Sequence, residues 1–132
     1  MTRNLLAYAG TFVALAILDY LWLGVIAKNW YRDAMGHLMA PTPNWGAAAA
    51  FYLLYPVGLL IFAVLPSNGD WQRALMLGAL FGLFCYGTYD ITNLAILRDW
   101  PLPLTFVDIA WGAAVSAVGA SAGALVLRWL AA

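Results

Sequence analysis

Four long apolar runs, separated by short polar or proline-bearing breaks, organise the chain: Leu5 to Ala27, Trp45 to Leu65, Ala74 to Leu97 and Leu104 to Leu130. Each reaches the ~20 residues a helix needs to cross a hydrocarbon core of about 30 Å. In lipid only helices and closed barrels satisfy every backbone group, and the runs lack the strict alternation of barrel strands. The pattern therefore predicts an all-α fold, an integral membrane bundle of four transmembrane helices, as a single domain over 1–132. The breaks carry matching punctuation. Pro41-Thr42-Pro43-Asn44 offers Asn44 as an N-cap for the second helix. Pro66-Ser67-Asn68-Gly69-Asp70 reads as a turn with Asp70 capping the third. Trp100-Pro101-Leu102-Pro103 ends the third helix and predicts proline at the first position of the fourth.

The stretch from Lys28 to Ala40 has a different pattern. Trp30, Tyr31, Ala34, Met35, Leu38 and Met39 recur at helical spacing, with Lys28, Arg32, Asp33 and His37 between them. It predicts a short amphipathic helix lying at the membrane interface between helices one and two. Trp45, Trp71, Trp100 and Trp129 fall at span ends, as an aromatic belt requires.

Composition reinforces the membrane reading. Hydrophobic residues make up 65% of the chain and charged residues 9%, against about 25% charged in an ordinary soluble domain. Six basic residues balance six acidic ones, which gives no electrostatic footprint for nucleic acid. The lone Cys85 excludes an internal disulfide. The first apolar run passes Asp19 and continues to Ala27 without a small-residue cleavage site, so it reads as a retained helix rather than a signal peptide. Arg3, Arg73 and Arg128 lie on one side, Lys28, Arg32 and Arg98 on the other. This tie leaves the orientation open under the positive-inside rule. Cytoplasmic termini are the working assignment.

Three aspartates interrupt the spans, where an ionisable side chain costs about 2.5–3.5 kcal/mol at a helix centre. Counting at 1.5 Å per residue puts Asp19 roughly 12 Å below the surface at Ala27, Asp90 roughly 10 Å below Leu97 and Asp108 roughly 6 Å below Leu104. Because the spans alternate in direction, these three ends share a side. Tyr52 and Tyr55 of the second helix reach similar depth from Trp45. Tyr86, Asp90 and Asn93 share a face of the third helix, bordered by Tyr89 and Thr92. Trp22 lies one turn from Asp19, and Trp111 near Asp108. The candidate ligand- or proton-binding residues are therefore Asp19, Asp90, Asp108, Tyr52, Tyr55, Tyr86, Tyr89, Asn93, Trp22 and Trp111. Lys28 and Arg98 sit close enough to the layer to pair with a carboxylate, which would favour a structural network over a binding site. Gly78–Gly82, Gly119–Gly123 and Gly112–Ser116 are small-residue pairs that permit close helix contact. One histidine, His37, with scattered aspartates makes a poor metal set, and no metal or other cofactor is assigned.

Several stretches carry a family resemblance. They are Leu18-Asp19-Tyr20-Leu21-Trp22-Leu23-Gly24, Pro43-Asn44-Trp45, Phe51-Tyr52-Leu53-Leu54-Tyr55, Thr88 to Ala95, Trp100-Pro101 and Asp108-Ile109-Ala110-Trp111-Gly112. Together they resemble the small bacterial membrane proteins known as domain of unknown function 2177. The resemblance implies a four-helix protein of the bacterial inner membrane and carries no catalytic assignment. Three readings follow. The first is binding or transport of a cation, a proton-coupled solute or a polar lipid head group through the aspartate–tyrosine layer. The second is an accessory subunit whose polar network only holds the fold, with a second copy or a larger membrane complex as partner. The third is a lipid-modifying enzyme using Asp90 or Asp108 as general acid or base.

Overall fold

The computed structural model describes residues 1–131. Helix α1 (Thr2–Leu21) continues into a π-helical turn over Trp22–Ile26, in which the Ala27 N–H reaches back to the Trp22 carbonyl at 2.7 Å. A short helix α2 (Lys28–Met35) and a 3₁₀ turn (Gly36–Leu38) follow at the membrane surface. The second span is α3 (Trp45–Leu59), extended by a π segment (Leu60–Val64) and a 3₁₀ turn to Ser67. Helices α4 (Trp71–Ile96) and α5 (Leu102–Ala131) complete the bundle. All four spans are long and apolar enough to cross a membrane. Their outward faces expose large side chains such as Ile17, Leu54, Phe84 and Phe106, as lipid contact demands.

The expected caps are present. Asn44 accepts the Ala47 N–H, and Asp70 accepts from Gln72 and Arg73. The start of the fourth span differs from expectation: Leu102 takes the first helical position and Pro103 the second. The Pro101 carbonyl accepts both the backbone N–H and the hydroxyl of Thr105, closing the first turn from outside the helix.

Small residues decide the packing. In α1 the buried stripe is Ala7, Thr11, Leu15 and Asp19, and in α4 it includes Ala74, Gly78, Gly82 and Asp90, each spaced by multiples of four residues. Both stripes face α5, the most buried helix of the four. A Cβ on Gly78 would come within 2.6 Å of the Ser116 carbonyl. One on Gly82 would collide with Gly112 and Ser116, so the α4 and α5 backbones touch. On the other side of α5, Gly119 lies under Leu15 and Gly123 under Thr11, whose hydroxyl donates to the Gly119 carbonyl at 2.8 Å. Water drives no association between helices in lipid. Close van der Waals contact and a few interhelical hydrogen bonds must hold them, and small residues permit both.

Helix α3 is set apart. It packs on α1 and α5, while α4 chiefly meets the π segment that follows it. Pro56 inside α3 removes the N–H that would bond the Tyr52 carbonyl, and the π segment begins one turn later. Tyr55 of α3 meets Phe81 and Tyr86 of α4 with ring centroids 5.5 and 6.0 Å apart, and beside these rings a gap remains between the two helices.

Candidate functional site

The two inward stripes end on acids: Asp19 terminates the buried stripe of α1 and Asp90 that of α4. Asp108 enters from the second turn of α5. The α1–α5 and α4–α5 contacts thus bring the three carboxyls into one region of the bundle, with α2 folded over it.

Asp19 is 6% exposed and fully engaged. Its Oδ2 accepts the Tyr52 hydroxyl at 2.9 Å and its Oδ1 the Trp111 indole N–H at 3.0 Å. The Trp111 ring stacks on Trp22 with centroids 4.7 Å apart and planes 11° from parallel. The Trp22 indole donates to the Tyr31 hydroxyl oxygen at 3.2 Å, and Tyr31 in turn donates to Asp108 Oδ1 at 2.7 Å. A continuous polar and aromatic path therefore runs from α3 through α1 and α5 to α2 and back to α5. Burial pushes the Tyr31 phenol above its ordinary value, and the nearby Asp108 carboxyl pushes in the same direction.

Asp90 adjoins the end of this path, its carboxyl close enough to that of Asp108 for the two to share a hydrogen bond when one of them is protonated. It is 0% exposed, and neither of its oxygens accepts from an N–H or hydroxyl donor among the described residues. The buried Trp100 indole N–H lacks an acceptor among them. Both side chains line a small, partly open chamber of about 50 Å³, with Tyr31, Met35, Tyr89, Leu104 and Asp108. The loop above is pinned to the interfacial segment where His37 Nε2 meets the Asp99 carbonyl at 3.2 Å.

Two larger cavities flank α3 at the same level. One, of about 490 Å³, lies between α3 and α4; its walls include Phe51, Tyr55, Cys85, Tyr86 and Tyr89, and Asp108 is its one charged residue. The other, of about 870 Å³, lies between α1 and α3, with Asp19 and Tyr52 inside and Lys28 and Arg32 of α2 at its edge. Tyr31 and Met35 line both cavities and the small chamber, so α2 is their common cover.

The ten sequence candidates divide accordingly. Asp19, Tyr52, Trp22, Trp111 and Asp108 belong to the bonded path. Asp90 and Tyr89 line the small chamber, and Tyr89 meets Trp100 edge-on at 5.9 Å. Tyr86 is seated directly on Gly112 and forms a wall of the α3–α4 cavity. Tyr55 points elsewhere, to the Ser116 hydroxyl at 2.6 Å. Asn93 reaches none of the three carboxyls among the described residues. The partners the carboxyls find are aromatic O–H and N–H groups, not Lys28 or Arg98. Periodicity did not point to Tyr31 or Trp100. Tyr31 read as part of the membrane-facing side of α2, and Trp100 as belt. The available signal was that both are aromatic residues with a donor, adjacent in the loops to the ends nearest the acids.

Among the described residues no three His, Cys, Asp or Glu side chains gather to hold a metal ion. The fold and layer define a small four-span membrane protein with a carboxyl-rich region near one end of its bundle. The chain belongs to the family described as predicted membrane protein (DUF2177), whose family model matches residues 4–125. No curated protein matches the chain, and no solved structure does.

Proposed function

We propose that this protein binds or transports an amphiphile with a cationic head, taken up from one leaflet into the gap between α3 and α4. The observation that carries the reading is the 490 Å³ cavity with Asp108 as its one charged residue and with tyrosine and phenylalanine walls. A carboxylate provides the counter-charge for an ammonium group, and aromatic faces attract the same cation, by about 0.5–2 kcal/mol each depending on desolvation. Leu23, Met35 and Phe51 suit an alkyl chain, and exposed Phe51 and Tyr89 stand where such a chain would pass from lipid.

The accessory-subunit reading draws support from Asp19, whose two oxygens are both taken by protein donors, as in a purely structural pin. It leaves the buried Asp90, which faces a second carboxyl and takes no N–H or hydroxyl donor among the described residues, without a role. Buried acids in a membrane span are costly and mark functional sites more often than architecture.

The test is binding of decylammonium to the protein in lipid nanodiscs, with decanol as the uncharged control of equal chain length. Preference for the amine by tenfold or more supports the reading; equal affinity for both removes the cation from it.

A further inference from the structure

We propose that the small chamber beneath α2 holds water and is a proton-exchange site, through which Asp90 supplies the proton that frees a cationic head from Asp108. The coupling to the amphiphile rests on the function proposed above; the water-filled proton site does not.

The chamber's vacancies define its occupant. Asp90 offers oxygens that take no N–H or hydroxyl donor and meet only the facing Asp108 carboxyl, and Trp100 offers one N–H donor without a partner, all of them buried among the described residues. A single species filling these vacancies must accept from an indole and donate to a carboxyl or carboxylate. Water does both. A bare metal ion cannot accept from the indole, and an alkylammonium offers donors but no acceptor. Size agrees: about 50 Å³ exceeds the ~10–15 Å³ that one water requires and admits no more than a few waters.

Placement links the chamber to the larger cavity. Asp108 lines both, as does Tyr31, which donates to Asp108 Oδ1. The titratable groups facing Asp90 are Asp108 from α5, Tyr31 from α2 and Tyr89 from its own helix. Among the described residues no lysine, arginine or histidine lines the chamber, so no fixed cation decides where the proton of the acid pair resides. Two carboxyls facing each other in one small space hold a proton between them more easily than they hold two charges.

The step balances. With an ammonium head against the Asp108 carboxylate, Asp90 carries the proton. The Asp90 O–H bond breaks as a chamber water takes that proton and passes one of its own to Asp108. A neutral Asp108 no longer holds the cation, which leaves. Asp90, now ionised, regains a proton from the aqueous side past Trp100, which lies in the covering loop and is 7% exposed. Each cation released thus requires one proton taken up, and each cation bound expels one.

Two readouts on the protein in nanodiscs test this. The first needs no amphiphile. Infrared difference spectra on pH steps should show a carboxyl C=O band that grows on acidification, shifts in D₂O and disappears in Asp90→Asn. Trp100→Phe, which removes only the indole donor, should move the titration midpoint. It also carries the test if Asp90→Asn does not fold. A carboxyl spectrum and midpoint that neither folded variant changes would overturn the proton site. The second readout is proton release on adding decylammonium, followed with a pH-indicating dye. The expected result is about one proton per amine bound in the wild type and loss of that release in Asp90→Asn. Unchanged proton release in a folded Asp90→Asn variant would overturn the coupling. Absence of amine binding in the wild type would overturn the proposed function and the coupling, while the infrared titration still decides the chamber.

Discussion

The Tyr31 hydroxyl donates to Asp108 Oδ1 at 2.7 Å across 77 residues of sequence. That one bond ties a helix lying at the membrane surface to an acid inside the bundle. Because Tyr31 also receives the Trp22 indole, it holds α2 over the cavities on both sides of α3.

Tyr31→Phe should therefore loosen α2 without unfolding the bundle. Hydrogen bonds inside membrane proteins average about 0.6 kcal/mol in double-mutant cycles, with a maximum near 1.7, so a loss of about 1 kcal/mol is expected. Hydrogen exchange over 28–35 should accelerate several-fold while the centres of α4 and α5 keep their protection. The pH dependence has a defined sign. Burial raises the Tyr31 phenol above its ordinary value of about 10. Its contribution is then fully present below pH about 10 and is lost only as pH rises through the raised value. The difference between wild type and variant should stay constant across neutral and mildly alkaline pH.

Helix contact makes a paired prediction. Gly78→Ala must push against the Ser116 carbonyl and the Ala120 side chain, whereas a Cβ on Gly87 meets nothing within 4 Å. Overpacking of this kind costs about 1–3 kcal/mol. Unfolding in mixed micelles should show that loss for Gly78→Ala and none for Gly87→Ala. Equal effects would mean that α4 and α5 are not in backbone contact.

Topology is open to direct labelling. Cysteines placed singly at Asp33 and Asp99, in a Cys85→Ser background, should react with an impermeant thiol reagent from one side of the membrane. A cysteine at Asn68 should react from the other. Labelling of Asp33 and Asp99 from opposite sides would refute the four-span arrangement.

The parts of this structure that were legible from sequence are those set by local physics. Apolar run length gave the spans, and proline breaks with Asn44 and Asp70 gave two of their starts. Depth counting placed Asp19, Asp90 and Asp108 at one level, because helical rise converts residue number directly into distance. The undetected parts depend on tertiary placement. No periodicity says that α2 folds back so that Tyr31 turns inward, or that Trp100 closes a chamber from the loop. Tyr55 has the right depth for the acids, yet it bonds Ser116, since in α3 depth alone does not fix the direction a side chain takes. The π-helical turns after Leu21 and Leu59 were equally silent, although the first begins with Trp22, which the site uses.

Asp19 and Asp108 should respond differently to the same substitution. Asp19→Leu strands the Tyr52 hydroxyl and the Trp111 indole at once, and should cost about 1–3 kcal/mol for groups left unsatisfied. Asp19→Asn retains an acceptor and should cost less, with amine binding preserved. Detergent-resistant folding measured beside decylammonium affinity separates the two effects. A loss of binding in folded Asp19→Asn as large as in Asp108→Asn would make Asp19 part of the ligand site rather than a pin.

The most direct test of a cation site in the carboxyl layer is the affinity of decylammonium for folded Asp108→Asn in nanodiscs. Asparagine keeps the shape and an acceptor for Tyr31 but removes the charge. The expected result is at least a tenfold weaker affinity, which is about 1.4 kcal/mol, with decanol binding unchanged and the bundle intact. Wild-type amine affinity in that folded variant would contradict the account and remove Asp108 from any cation site.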